Sequence, residues 1–334
     1  MGTIHKCRNQ EEVREFVSSK VKTMTAEEVI KKLPQFIKMD EAIRSVYLGL
    51  LTNTNVVLYG PGGYGKTDIV VAVCGLFDIP VYTKVGYEDM MPEELIGIPN
   101  MARLIEDSEY VVSFDKSVFA NPGILILEEF LDCNPKTAIT LKDIITSGGF
   151  KDGESFTPSL IGTIVITGNK DPEQLATSDS LKALYIERFP VRCLVKWDTH
   201  YDSDYLRLFM SKGLELDDTQ KIVASVCSAS SISPRGALDT IRIANQAGLS
   251  FLPLISSLNT GKLDYVIDKV VNTNNLEALN LFVDEIRYKM STLKMGKAVD
   301  GGLGLLDRVN DYVTTPENGS TLRQLKLDII SLIK

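Results

Sequence analysis

The chain has 334 residues, with 36 Lys+Arg set against 44 Asp+Glu and a formal net charge of −8. Apolar residues make up 44% and charged residues 24%, which excludes a mostly disordered chain and predicts two or three packed units. No apolar run reaches the ~18–20 residues that a membrane-spanning helix needs, and the acidic balance argues against bulk nucleic-acid binding. The opening residues, MGTIHKCRNQEEVREF, lack the apolar stretch of a secretory signal. Cys7, Cys74, Cys133, Cys193 and Cys227 stand far apart with no CxxC pair, the pattern of reduced thiols in a cytoplasmic protein. With only His5 and His200 available, neither a histidine-based zinc site nor a Ser–His triad is expected.

In chain order, residues 1–35 read as a helical segment, with Thr25 and Glu28 spaced as a capping box. A helix follows over Asp40–Leu51, then a buried strand over Asn55–Tyr59 that runs into glycine. From there helices and short apolar strands alternate: a helix over Lys66–Phe77 and strands over Pro80–Val85, Gly123–Leu127, Ile161–Thr167 and Cys193–Trp197. Such alternation predicts an α/β unit with a mainly parallel sheet. Asp152-Gly153, between Phe150 and Phe156, signals a surface hairpin. Beyond residue 200 the strand signal stops. Helices are expected over Tyr205–Lys212, Asp218–Ser228 and Pro234–Gln246, followed by apolar stripes at Leu263, Val266, Ile267, Val270 and at Leu276, Leu279, Phe282, Val283, and a last amphipathic helix over Thr321–Ile333. The expected divisions are thus 1–35, a core over 36–200, a helical lid over 201–261 and a helical extension over 262–334.

The strongest chemical signal is Gly60-Pro61-Gly62-Gly63-Tyr64-Gly65-Lys66-Thr67. It fits the phosphate-cradling pattern G-x-x-x-x-G-K-[ST], and it stands between an expected strand and an expected helix, as that pattern requires. Glycines let the backbone turn its N–H groups toward phosphate, and the helix N-terminus adds positive partial charge. Lys66 would reach the β- and γ-phosphates of a nucleotide, and the Thr67 hydroxyl would bind Mg2+. The strand Ile124-Leu-Ile-Leu127 ends in Glu128 and Glu129. The first carboxylate suits Mg2+, the second an attacking water that must be oriented and polarised. Asn169, in the segment Ile164-Val-Ile-Thr-Gly-Asn169 at the tip of the strand Ile161–Thr167, can hydrogen-bond a γ-phosphate or that water. Arg188 precedes the last strand and suits an arginine finger acting on a neighbouring subunit. Arg235, one residue after the proline that opens a helix, places positive charge where the helix dipole disfavours it unless an anion compensates.

Together these segments resemble the MoxR-type family of AAA+ ATPases. Ser117-Val-Phe-Ala-Asn121 resembles the approach to that family's Walker B strand, Asn134-Pro-Lys-Thr137 the segment behind it, and Pro92-Glu-Glu-Leu-Ile-Gly97 the region after its second strand. Thr167-Gly-Asn169 matches its sensor 1, Glu187-Arg188-Phe189 its arginine segment and Ser233-Pro-Arg235 its sensor 2. The resemblance covers residues 36–250. It implies a P-loop core, ATP and Mg2+ as ligands, and Glu129, Asn169 and Arg188 as catalytic residues. Gly60–Thr67 and Arg235 would bind nucleotide, and Thr67 and Glu128 the metal. It further implies a hairpin inserted at about 98–115, with Tyr110–Asp115 as its returning strand, and a homo-oligomeric, hexameric ring. That ring would remodel a protein client, in some systems with a von Willebrand factor A-type partner. Three features depart from the family: Glu128 stands where Asp is usual, implying slow turnover; Lys170 stands where Pro is usual; and residues 262–334 have a helical rhythm similar to the collar of clamp-loader subunits. A DNA-linked, clamp-loader-like ATPase and an ATP-dependent oligomerisation switch with little hydrolysis are the competing expectations.

Overall fold

The computed structural model describes residues 4–97, 113–152 and 155–248. The helical patterns at 262–334 and most of the expected 98–115 hairpin lie outside the described residues. The chain divides into two compact units, Met1–Trp197 and Asp198–Lys334.

The first unit is built on a five-stranded parallel sheet. Its strands are β1 (Val56–Tyr59), β2 (Val81–Val85), β3 (Gly123–Glu128), β6 (Ile161–Gly168) and β7 (Val191–Leu194), in the spatial order β2-β3-β6-β1-β7. β3 and β6 are buried almost throughout, which explains why they read as continuous apolar runs rather than alternating ones. The Asp152-Gly153 signal corresponds to an antiparallel pair, β4 (Gly149–Asp152) with β5 (Ser155–Pro158).

Helices cover the sheet. α1 (Gln10–Val21) buries Val13, Val17 and Val21 and docks on the start of β6, where Gln10 and Arg14 donate to the Ile161 and Gly162 carbonyls at 2.8 and 3.0 Å. α2 (Ala26–Lys32) opens on the Thr25–Glu28 capping box. α3 (Asp40–Thr52) turns Ile43, Val46 and Leu50 inward, and α4 (Lys66–Gly75) turns Ile69, Val70 and Val73. Elsewhere Val57, Leu125, Leu127, Ile164 and Ile166 pack with Phe114, Phe119 and Phe189. That cluster also takes in Leu95 and Ile96 of α5 (Pro92–Ile96), Leu141 and Ile144 of α6 (Pro135–Ser147), and Leu184 and Tyr185 of the π-helical turn Ala183–Arg188. Two short helices, α7 (Pro172–Leu175) and α8 (Asp179–Lys182), lead into that turn.

Within the second unit, α9 (Asp202–Ser211), α10 (Asp218–Ser230) and α11 (Pro234–Ala247) share a core of Leu208, Phe209, Val223, Cys227, Ala237 and Ile241. The Tyr205 hydroxyl donates to the Ile232 carbonyl at 2.6 Å.

Three local expectations are corrected. β7 begins at Val191 and ends at Leu194, not over Cys193–Trp197, because its partner β1 is only four residues long and is matched from Val56↔Val191 to Tyr59↔Leu194. α9 begins three residues early, since the Asp204 carboxylate accepts the Tyr201 N–H at 3.1 Å and starts the helix there. Phe114–Lys116, at the end of the expected returning strand, is a 3-10 turn with Phe114 buried. All five cysteines are free thiols. Among the described residues no helix is long and apolar enough to cross a membrane.

Candidate nucleotide site

β1 hands over to α4 through residues 60–65, and backbone conformation explains the glycines. Gly60, Gly63 and Gly65 have φ of 131°, 84° and 73°, the region where a Cβ is strained. A Cβ at Gly60 would also stand 2.6 Å from the Val195 carbonyl oxygen. α4 begins without a side-chain cap, so its first N–H groups are donors available to an anion. Tyr64 contributes backbone to the loop. Its ring is buried and meets Trp197 edge-on at 6.2 Å.

Lys66 is buried, 7% exposed. Its Nζ donates to the carbonyls of Gly60 and Pro61 at 2.8 and 2.9 Å and to Asn169 Oδ1 at 3.1 Å. Asn169 Nδ2 in turn donates to Glu129 Oε2 at 3.2 Å. One amide therefore joins the P-loop lysine to the second carboxylate of the β3 strand end. The Glu129 carboxyl is raised above the ordinary carboxylate range, first by burial, against the lowering pull of Lys66, with Asp132 and Glu128 adding to the rise. Glu129 has φ of 51°, left-handed backbone that turns the chain off the strand.

Glu128 stays in the strand, in register with Thr167 of β6. Register partners on parallel strands face the same side of the sheet. The Thr167 hydroxyl lies 3.5 Å from that of Thr67, so Thr67, Thr167 and Glu128 gather on one side. No described group of three or more His, Cys, Asp and Glu side chains could hold a metal by itself. One hydroxyl and one carboxylate suit Mg2+, which takes few protein ligands and completes its shell with phosphate oxygens and water.

Arg188 is not part of this cluster. Its carbonyl accepts Asn55 Nδ2 at 3.1 Å, level with the residue before β1. The P-loop begins five residues further on, about 16 Å away at the strand rise per residue. The Arg188 side chain is 38% exposed; its Nε donates to Thr146 at 3.2 Å, and Glu187 is 4.0 Å away. Arg192 lies within β7, paired with Glu173 at 2.7 Å. Arg235 is exposed in the second unit, on the first turn of α11, whose Ser233 cap accepts the Gly236 N–H at 3.2 Å.

Three contributors carry too little local signal to be assigned a role of their own, Thr167 entering only within the Thr167-Gly-Asn169 segment. Thr167 is 3% exposed within an apolar strand, and a polar residue so placed is the available cue. Asn55 is buried and accepts the Ile164 N–H at 2.9 Å while donating to Arg188, tying β1, β6 and the chain before β7 together. Asp132 pairs with Lys170 at 2.7 Å, a contact between two loops that adjacent sequence does not reveal.

A family model for the MoxR domain in the MoxR-vWA-beta-propeller ternary systems matches residues 22–234. No curated protein matches the chain. Among solved structures, a variant of Thermotoga maritima RuvB is 17% identical, over 84% of this chain and 83% of its own, with a TM-score of 0.42. A candidate ATPase from Cytophaga hutchinsonii ATCC 33406 is 14% identical, over 96% of this chain and 88% of its own, with a TM-score of 0.41. The Thermotoga maritima RuvB Holliday junction branch migration motor is 16% identical, over 90% and 86%, with a TM-score of 0.39. The matched family model spans well over half of the chain and takes in the P-loop, both β3 carboxylates, Asn169 and Arg188, and the chain belongs to the MoxR family of AAA+ ATPases.

Proposed function

We propose that this protein binds ATP with Mg2+, hydrolyses it, and uses the cycle to rearrange a protein partner. The observation that carries the reading is the Lys66–Asn169–Glu129 chain of contacts at the P-loop. Lys66 and the α4 N-terminus hold the phosphates. Thr67 and Glu128 would hold Mg2+, which would supply charge neutralisation to the phosphates. Glu129 takes up the proton of the attacking water, and Asn169 fixes the position of the Glu129 carboxylate. Burial keeps that carboxylate a stronger base than a solvated one, which suits this role.

Arg188 lies off the opposite end of its own strands and acts on the nucleotide of a second copy in a ring, for which six copies is our expectation. Arg235 is the further nucleotide-binding residue of this reading, supported by its place on the first turn of α11. The family model is drawn from systems that combine a MoxR domain with vWA and beta-propeller proteins. A vWA-type protein is accordingly the partner we assign, in the cytoplasm.

Glu129→Gln tests this reading. An amide cannot accept the water's proton, so turnover should fall by at least ~100-fold while ATP affinity in calorimetry is kept. Hydrolysis at the wild-type rate would remove Glu129 from the mechanism.

A further inference from the structure

The tip of β6 and the turn after β3 meet at three successive residues. Gly168 lies against Leu131: a Cβ there would stand 2.9 Å from Leu131 Cδ1 and 3.1 Å from Leu131 Cβ. Asn169 donates to Glu129 at 3.2 Å. Lys170 Nζ is 2.7 Å from Asp132 Oδ1. The turn itself is wound tightly, since the Asp132 N–H donates to the Glu129 carbonyl at 2.9 Å and the Cys133 N–H to the Phe130 carbonyl at 3.1 Å. Glu129 and Asp132 are thus the two ends of one 3-10 turn, whose middle residues, Phe130 and Leu131, are buried. A force on Asp132 is passed to Glu129 through a hydrogen-bonded unit rather than through a loose loop.

That coupling matters because Glu129 holds a left-handed backbone, φ 51°. Such a conformation is costly for a residue with a Cβ and persists where its surroundings determine it. Asn169 is exposed and has to be aimed at Glu129 by its neighbours. Gly168 fixes one side of Asn169 by packing, and the Lys170–Asp132 pair fixes the other.

We propose that Lys170 and Asp132 form a positioning pair for hydrolysis, clamping the turn that carries Glu129 to the strand tip that carries Asn169. The inference rests on the roles given above to Glu129 and Asn169. Lys170 reaches Glu129 only through Asp132, whose carboxyl hydrogen-bonds that of Glu129 as well as pairing with Lys170. The pair is half exposed, Lys170 at 53% and Asp132 at 33%, and exposed ion pairs add almost nothing to stability. Its loss is therefore felt in geometry, and small misplacements of catalytic groups are expensive in rate. Glu88 is the other carboxylate near Lys170, so removing Lys170 is cleaner than removing Asp132.

The test uses the full chain, with steady-state ATP hydrolysis, binding of a fluorescent ATP analogue and thermal unfolding measured side by side. Lys170→Ala should lower kcat about three- to tenfold, with analogue affinity and Tm unchanged. Lys170→Arg should recover most of the rate. In an Asn169→Ala background, Lys170→Ala should cost less than it does alone, since the aimed group is already gone. Wild-type kcat for Lys170→Ala alongside an inactive Glu129→Gln would overturn the pair and leave the catalytic reading standing. A loss matched in Tm or affinity, or one that arginine does not restore, would also overturn it. Wild-type hydrolysis by Glu129→Gln would overturn the underlying reading itself.

Discussion

Lys66 is held by the fold at the place where the proposed chemistry needs a cation. Its stem is buried and its ammonium is held by the Gly60 and Pro61 carbonyls and by Asn169. A buried cation is tolerable because oxygens surround it. The same oxygens hold the ammonium at the mouth of the loop, where the proposed polyphosphate would outcompete neutral carbonyls for it. Lys66→Ala removes the one fixed positive side chain of the loop and should weaken ATP binding by ~100-fold or more, the scale of a charged hydrogen-bonded contact. Isothermal calorimetry reads this directly, and tight ATP binding by the variant would sink the P-loop assignment. This part of the site was legible in the sequence because it is one contiguous stretch with fixed spacing. Thr167 and Asn55 were not, because their roles depend on which strands become neighbours.

Element boundaries depend on contacts made across the fold. α6 is held at its start by Asn134, whose Oδ1 accepts the N–H groups of Lys136 and Thr137 at 3.0 and 3.1 Å. The same side chain donates to the Met90 carbonyl at 2.7 Å, and the Thr137 hydroxyl donates there too. The cap thus joins α6 to the chain entering α5. Asn134→Ala loses both functions and should cost about 1–2 kcal/mol, measured as a lower urea midpoint for the first unit with ATP hydrolysis retained at permissive temperature. The continuous apolar strands β3 and β6 were readable from composition alone, since burial on both faces leaves no other pattern. The ends of β7 were not, because β1 stops after four residues as the chain turns into the P-loop, and a strand cannot outlast its partner. The start of α9 was missed for a related reason: Asp204 reaches back to Tyr201, so a polar contact, not apolar periodicity, sets the boundary.

At the scale of the whole molecule, the parallel sheet has two different ends. Lys66, Glu129 and Asn169 gather where the strands finish, and Arg188 lies where they begin. A guanidinium on the γ-phosphoryl oxygens of another copy would act mainly as the bond breaks, worth roughly 10³–10⁵ in rate for arginine fingers generally. Arg188→Ala should therefore bind ATP nearly normally and hydrolyse it poorly. Mixed with Lys66→Ala, it should regain part of the activity, because a mixed interface can pair an intact P-loop with an intact arginine. No recovery despite demonstrated co-assembly would count against action in trans, and full activity of Arg188→Ala alone would eliminate it. If Arg188 acts on another copy as proposed, the two-ended sheet also sets a counting rule. A contact that joins the finish of one sheet to the start of the next is head-to-tail, so copies are related by a repeated rotation and not by a two-fold exchange. Any open row of copies then keeps a Lys66 without an arginine at one end and an Arg188 without a nucleotide at the other. Only a closed circle would leave nothing over, so on that proposal a complete catalytic set would belong to the closure of the assembly and not to any one chain within it.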